Sequence, residues 1–252
     1  MKNKEGIYFF LGGHDLEMLT IRDILKQEGV AFADYNLRWD NALLSRYHLQ
    51  IQQLLETTTI IGVELQEDIQ LPSNYHAIDH HNEKSHLPSA LEQVVTLLDL
   101  RMNRYWELVA ANDKAYIPGM MALNATKEEI EQIRRADRLA QGVTQQDEEM
   151  AEKALAENLQ QIGDLILVHA NSSSFSPICD RLFPYKSLLI YTDKEWMYYG
   201  EGATLVKKLF EQEYEDGNLF YGAGENGYVG IKQNKYKREE IEKMVERIIN
   251  NR

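Results

Sequence analysis

Hydrophobic and polar positions along the chain switch between two periods, and the switches outline alternating strands and helices. The run 7-IYFFLG-12, closed by Gly12 and Gly13, reads as a buried strand. Apolar residues at 16, 19, 21, 24 and 25 then follow helical spacing as far as Lys26. A β-branched run marks a second strand at 58-TTIIGVEL-65, and 75-YHAIDH-80 reads as a third. Pro88 or Ser89 opens a strongly periodic helix, 89-SALEQVVTLLDL-100. Strands alternating with helices predict a parallel α/β sheet.

From Ala125 to Gln161 the composition turns to helix formers and charge, broken once near Gly142, with a capping-box signal at Thr126 and Glu129. Beyond it, strands are expected at 164-DLILVHA-170, 187-SLLIYTD-193 and 195-EWMYYG-200, with a short helix at about 177–183. A helix over 203–214 leads into 218-NLFYGAGENGYVGI-231, and an amphipathic helix covers 238–251. The expected organisation is two-lobed α/β: a parallel-sheet domain over 1–125, a helical linker over 126–161, and a smaller α/β domain over 162–252.

Bulk composition narrows the function classes. The 252 residues are 44% apolar, enough for one large core or two smaller ones. No apolar run is long enough to span a membrane, and the N-terminal stretch turns polar before a secretory signal could form. Cys179 is the single cysteine, which excludes an internal disulfide framework and fits a reducing compartment. A cytoplasmic protein is expected. The net charge of −13 comes from 40 acidic and 27 basic residues. No row of Lys and Arg is present to grip long DNA or RNA. A small phosphorylated substrate held through a divalent cation is compatible with this charge.

Ligands of open parallel sheets collect at the carboxyl ends of the strands. Four stretches place acidic or imidazole groups there: 12-GGHDLEM-18, Glu64, Asp79-His80-His81, and Asn112-Asp113. Each has a plainer reading. Asp15 reads equally as a helix N-cap with His14 in the turn, Glu64 as a solvated carboxylate, and Asp113 as the start of a turn. Taken together, converging carboxylates repel one another unless a cation neutralises them or some are protonated. Mixed carboxylate and imidazole donors suit manganese, iron, cobalt or zinc. In an extended segment His80 and His81 point to opposite sides, which gives them different jobs.

The triplet Asp79-His80-His81, after an apolar strand and before 88-PSALEQVVTLL-98, resembles the signature of the DHH phosphoesterase superfamily. That group includes family II inorganic pyrophosphatases, exopolyphosphatases, single-strand exonucleases, and nucleases of very short RNAs and small or cyclic nucleotides. Asp15-Leu16-Glu17 is similar to its first motif, Glu64 to its second, and Asp113 to its fourth. The resemblance implies two divalent ions, manganese foremost. Asp15, Glu17, Glu64, His80 and Asp113 would hold them, His14 is a further candidate, and Glu64 would bridge. Asp79 would fix an imidazole tautomer. His81 would face the substrate as the group that polarises the phosphoryl or protonates the leaving oxygen.

In the family a smaller second domain carries a Gly-Gly-Gly-His loop that meets the substrate. The stretch 222-GAGENG-227 resembles it, which makes Gly222, Gly224, Glu225, Asn226 and Gly227 candidate substrate contacts; it also reads as a plain turn between strands. The chain departs from the family at five points. Glutamate replaces aspartate at 17 and at 64, Leu11 stands where pyrophosphatases have a histidine, Glu225 stands where the loop histidine is expected, and 198-YYGEG-202 offers no cation. The implied function is metal-dependent hydrolysis of a short or cyclic nucleotide or a phosphoanhydride, in a protein that a homodimer would suit. The rival is a nucleotide- or phosphate-binding protein of the same fold with little hydrolysis. The serine-rich turn 171-NSSSFSP-177 reads either as an anion-binding turn or as an ordinary helix start.

Overall fold

The computed structural model describes residues 6–222, 224–231 and 238–250. Contacts within the chain divide it into two compact units, Met1–Gly142 and Val143–Arg252. The division falls inside the segment read as a helical linker.

The first unit contains β1 (Ile7–Leu11), α1 (Leu16–Gln27), β2 (Ala31–Asp34), α2 (His48–Gln53), β3 (Thr59–Val63) and β4 (Tyr75–Ile78). It continues with α3 (Ala90–Leu97), α4 (Arg104–Ala122) and α5 (Lys127–Ala140). Its four strands are all parallel, in the order β2-β1-β3-β4. Strand β2 was not anticipated. It is a four-residue edge strand, AFAD, with no residue fully buried, so it lacks the apolar run that betrays β1 and β3. The two central strands bury Phe9, Phe10, Leu11, Ile60, Ile61 and Val63, and α1 covers the sheet with Met18, Ile21, Ile24 and Leu25. Burying each large side chain contributes roughly 1.5–3 kcal/mol.

Helix starts follow the expected capping chemistry. The Asp15 side chain accepts from Met18 N–H at the start of α1, and full capping boxes open α3 (Ser89 with Glu92) and α5 (Thr126 with Glu129). One expectation is corrected: Asn112 and Asp113 lie within α4 and not at a strand end. Asn103 caps that helix through Trp106 N–H, and the residues after it run helically as far as a break at Ala115 and Tyr116. Pro118, which has no N–H to donate, sits where the helix resumes.

The second unit contains α6 (Gln145–Asn158), β5 (Leu159–Ile162), β6 (Leu165–His169), α7 (Ser176–Leu182), β7 (Ser187–Tyr191) and β8 (Trp196–Gly200). There follow α8 (Ala203–Leu209), α9 (Glu211–Glu215), β9 (Leu219–Gly222), β10 (Tyr228–Ile231) and α10 (Arg238–Asn250). The six-stranded sheet has the order β5-β6-β7-β8-β10-β9 and is mixed, with only β6 and β7 parallel. Trp196, Tyr198, Leu189 and Val229 form its core with Ile241 and Ile248 of α10. The single helix expected over 203–214 is interrupted at Phe210, giving α8 and α9. Among the described residues no helix is long and apolar enough to cross a membrane.

Gly12 N–H donates to Val63 O at 2.8 Å, and a Cβ at Gly12 would stand 2.4 Å from the carbonyl oxygen of Glu64. The obstacle is backbone, which cannot swing aside. Gly12→Ala is expected to lower the free energy of unfolding by about 1–3 kcal/mol, read as a lower urea midpoint at unchanged slope. An unchanged midpoint would mean that the spacing between β1 and β3 gives way freely.

Candidate metal centre

The chain passes from β1 to β2 on one side of β1, then places β3 on the other side. That reversal opens a crevice beyond the carboxyl ends of β1 and β3, the place where open α/β sheets bind ligands. The turn after β1 leads into α1 and carries Glu17 in its first helical turn. Glu64 follows β3 directly, and its backbone takes a left-handed φ of 51°, uncommon for a residue with a side chain. Its N–H donates to Ile78 O at 2.9 Å, so the sheet holds it in place. His80 and His81 follow β4, and Asp113 comes from α4.

These elements bring Glu17, Glu64, His80 and Asp113 to one point, with one donor atom of each lying within 4.8 Å of all the others. His80 Nε2 is 2.7 Å from Asp113 Oδ2, 3.2 Å from Glu64 Oε1 and 3.6 Å from Glu17 Oε2. One N–H cannot serve three oxygens. Glu17 Oε2, both Glu64 oxygens, His80 Nε2 and Asp113 Oδ2 are buried without an aligned hydrogen bond, so the short contacts are charge contacts only. A nitrogen and several carboxylate oxygens, buried and facing one another, fit a divalent cation. Glu64, His80 and His81 form a second, overlapping group.

The remaining oxygen of Glu17 is taken up elsewhere. Glu17 Oε1 accepts from Leu91 N–H at 3.0 Å, in the first turn of α3, where unpaired amides favour a negative charge. Gln93 of the same helix donates to Asp79 O and Pro88 O, which ties the loop of His80 and His81 to the helix.

Burial raises the carboxyl pKa of Glu17 and raises that of Glu64 well above the usual range, against the favourable contact with His80. Burial also works against a charged His80 ring, but Asp113, Glu17 and Glu64 outweigh it and push the ring up to about 12.

His80 is buried and His81 is 43% exposed on its side chain, but the two rings lie side by side with centroids 4.4 Å apart, so the expected placement on opposite sides is corrected. Asp79 Oδ1 accepts from the His81 backbone N–H at 3.0 Å and lies 3.0 Å from its Nδ1. A proton held on Nδ1 leaves Nε2 as the atom available for proton transfer. Burial of Asp79 raises its pKa, but the His81 amide and ring and the nearby Lys84 outweigh it, and the carboxyl lies below its usual range. The Trp39 ring meets the His81 ring edge to face at 5.4 Å.

The other sequence candidates are placed as follows. Asp15 is buried close enough to feel the charges of Asp113 and Glu17, but it caps α1 and is absent from both the four-residue and the three-residue group. His14 lines a groove of about 650 Å³ with Leu16, Tyr105 and Leu139, outside either group. The glycine stretch is a hairpin in the second unit: β9 ends at Gly222, a 3-10 turn spans Gly224–Asn226, and Gly227 N–H donates to Gly224 O at 3.1 Å. Ala223 and the Glu225 side chain lie outside the described residues. The serine-rich turn opens only the seven-residue α7, which has no side-chain cap.

Sequence reasoning missed a supporting network. Arg134 donates to Asn112 Oδ1 at 2.9 Å and to Asp137 Oδ2 at 2.7 Å, and Leu16 N–H donates to Asp137 Oδ1 at 3.3 Å. The Arg134 guanidinium also lies 4.5 Å from the centre of the Tyr116 ring, at the break in α4. All of Asn112, Arg134 and Asp137 are buried. On sequence alone Arg134 and Asp137 look like any charged pair on a surface helix; the one available sign was their i,i+3 spacing.

No family model matches this sequence, and no curated protein does. Among solved structures the chain is similar to the pGpG-specific phosphodiesterase PggH from Vibrio cholerae, at 13% identity and TM-score 0.53, covering 98% of this chain and 99% of that one. Weaker likenesses, below a TM-score of 0.5, include RecJ with Mn2+ from Thermus thermophilus (10% identity, 98% of this chain and 52% of that one, 0.43). Another is the DHH domain of a protein described as a member of a ribosomal-protein family (12% identity, 98% and 87%, 0.48). The likeness to the phosphodiesterase shows a shared two-unit α/β architecture. At such identities the likeness speaks for the fold.

Asp15 gives the centre a testable pH signature. Burial, together with the charges of Asp113, Glu17 and Asp137, raises its pKa from 3.8 to about 7 against the Met18 amide. A raised folded-state value means that the folded protein holds a proton the unfolded chain has released. The stabilisation is full below about pH 4 and is lost as the pH rises towards about 7. In metal-free, EDTA-treated protein, Asp15→Asn is expected to remove a pH-dependent contribution on the order of 4 kcal/mol across that window while keeping the helix cap. Urea unfolding at pH 4.5 and pH 7.5 checks this, and equal pH slopes for both proteins would rule it out.

Proposed function

We propose that the chain is a metal-dependent phosphoesterase acting on a small phosphorylated substrate, a short or cyclic nucleotide or a phosphoanhydride. The observation that carries this reading is the meeting of Glu17, Glu64, His80 and Asp113 in one buried, hydrogen-bond-poor cluster. Those four residues would hold a divalent cation such as Mn2+, with Asp15 beside them as a further ligand where a second ion binds. When bound, such a cation supplies Lewis-acid stabilisation of phosphoryl charge and lowers the pKa of water.

The protein's own groups would do the rest. Asp79 orients His81 through Nδ1, so that Nε2 can give a proton to the leaving oxygen. The half-exposed His81 is the group in the cluster that a bound ester can reach. The glycine hairpin of the second unit, including Gly222, Gly224, Glu225, Asn226 and Gly227, is the proposed substrate-contacting loop. The fold shared with a phosphodiesterase agrees with hydrolysis. The glutamate at 225, in place of the histidine that the resemblance leads one to expect, favours a second reading: binding of a nucleotide or phosphate with little turnover.

Purified protein, stripped with EDTA and reloaded with Mn2+ or Mg2+, should hydrolyse at least one member of a panel of linear dinucleotides, cyclic dinucleotides, phosphoadenosine phosphate, pyrophosphate and polyphosphate. His80→Ala and Asp113→Asn should each lower the rate by about 100-fold or more and abolish the rise in Tm on adding Mn2+. His81→Ala should lower the rate by about 100-fold with the Mn2+-induced Tm rise retained. Tight nucleotide binding without turnover on the whole panel would replace this reading with the second.

A further inference from the structure

Trp39 is the feature beside the metal cluster that phosphate chemistry leaves unexplained. It lies in a 3-10 turn, Trp39–Asn41, on the segment that follows β2, and 49% of the residue is open to solvent. Isolated exposed apolar residues are ordinary, but this one is held on two sides. A Cβ on Gly13 would come within 2.8 Å of Cη2 and Cζ2 of the indole, so the ring rests directly on the glycine backbone. Gly13 has φ 76°, and thus both the backbone and the indole demand glycine at this position. On the other side the indole meets the His81 ring at 5.4 Å and 63°.

The same segment exposes Arg38 and Tyr35; Tyr35 is 49% open and stacks at 4.8 Å on the buried Tyr47, whose hydroxyl receives the Tyr35 N–H. Residues 35–39 therefore carry two anchored aromatic rings and an exposed arginine, and one of the rings, Trp39, lies against His81. Aromatic faces combined with a cation are the means by which proteins hold single nucleotides without reading their sequence. Inorganic pyrophosphate or polyphosphate could use the arginine but has no π-face to set against the rings.

We propose that Trp39 is a stacking platform for a nucleobase adjoining the phosphate that His81 faces, which makes it a specificity-determining residue for nucleotides over inorganic phosphoanhydrides. The proposal rests on the phosphoesterase reading and narrows its substrate class. The anchored indole loses little freedom on binding, and the base covers an apolar face otherwise left in water.

The test compares wild type, Trp39→Ala, Trp39→Leu and Trp39→Phe, loaded with Mn2+, on the linear dinucleotide pApA and on its two counterparts that each lack one base. Trp39→Leu keeps an apolar side chain over Gly13 and guards against misfolding of the alanine variant, and thermal melting reports on both. For pApA, kcat/KM should fall by about 10- to 100-fold in the Ala and Leu variants, chiefly through KM, and Trp39→Phe should recover most of it. On one of the abasic substrates all four proteins should perform alike. Equal losses on pApA and on both abasic substrates would show a structural role and overturn the proposal, as would no loss on pApA. If wild type turns over no member of the substrate panel, the phosphoesterase reading fails separately. Stacking is then decided by fluorescence: pApA should quench wild type more than Trp39→Phe, and an equal response overturns it.

Discussion

Three carboxylates and one imidazole share a space within 4.8 Å, and most of the first unit is arranged to keep them there. At an effective dielectric of about 20, two like charges 4 Å apart repel by roughly 4 kcal/mol. The contact with His80 offsets part of this, and the net negative charge of the cluster suits a divalent cation. The surroundings are set against relaxation. The first turn of α3 fixes Glu17, the sheet edge fixes Glu64 at a left-handed φ, and α4 supplies Asp113 one residue after the hydrogen-bonded Asn112. A site that spread its charges apart would be more stable without metal and would bind metal less well.

The parts of this arrangement that could be read from the sequence were those encoded locally. The strand–turn–helix at residues 7–26 and the capping box at Thr126 each depend on neighbours along the chain. The order of acidic residues along the chain carried the rest, because a parallel sheet brings its carboxyl ends to one side whatever lies between. What could not be read was set by tertiary contacts. Edge strand β2 has too little burial to leave an apolar pattern, and Asp113 was read as a strand-end residue because nothing local showed that the helix capped at Asn103 ran through it. Likewise, Arg134 and Asp137 acquire their meaning only when α5 packs beside α1 and α4.

That buried trio has a consequence for the α4 break. Tyr116 takes φ 55° and ψ −147°, a strained conformation for an L-residue, only three positions beyond Asp113. Such a bend persists when its surroundings over-determine it. Here the Arg134 guanidinium covers the Tyr116 ring and bonds to Asn112, one residue before Asp113. Asp137 in turn neutralises Arg134 and accepts from the N–H of Leu16, beside Glu17. A single ion pair thus reaches both helices that contribute carboxylates. Its removal would leave a buried charge unpaired as well as free the break.

The two glutamates, at positions where the resembled family usually has aspartate, are the point at which geometry matters most. A glutamate reaches one methylene further, so keeping the same meeting point requires its backbone to stand back or its chain to fold. Both glutamates reach His80 here, by different means. Glu17 is anchored through one oxygen on the α3 amide while the other turns to His80. Glu64 directs its side chain from a left-handed backbone that Gly12, lacking a Cβ, allows to pass close to β1. The longer side chains are accommodated by the shape of the backbone at those two positions, and the donor atoms still converge. Substitution back to aspartate would shorten each reach without moving the backbone, so Glu17→Asp and Glu64→Asp are not conservative changes in this protein.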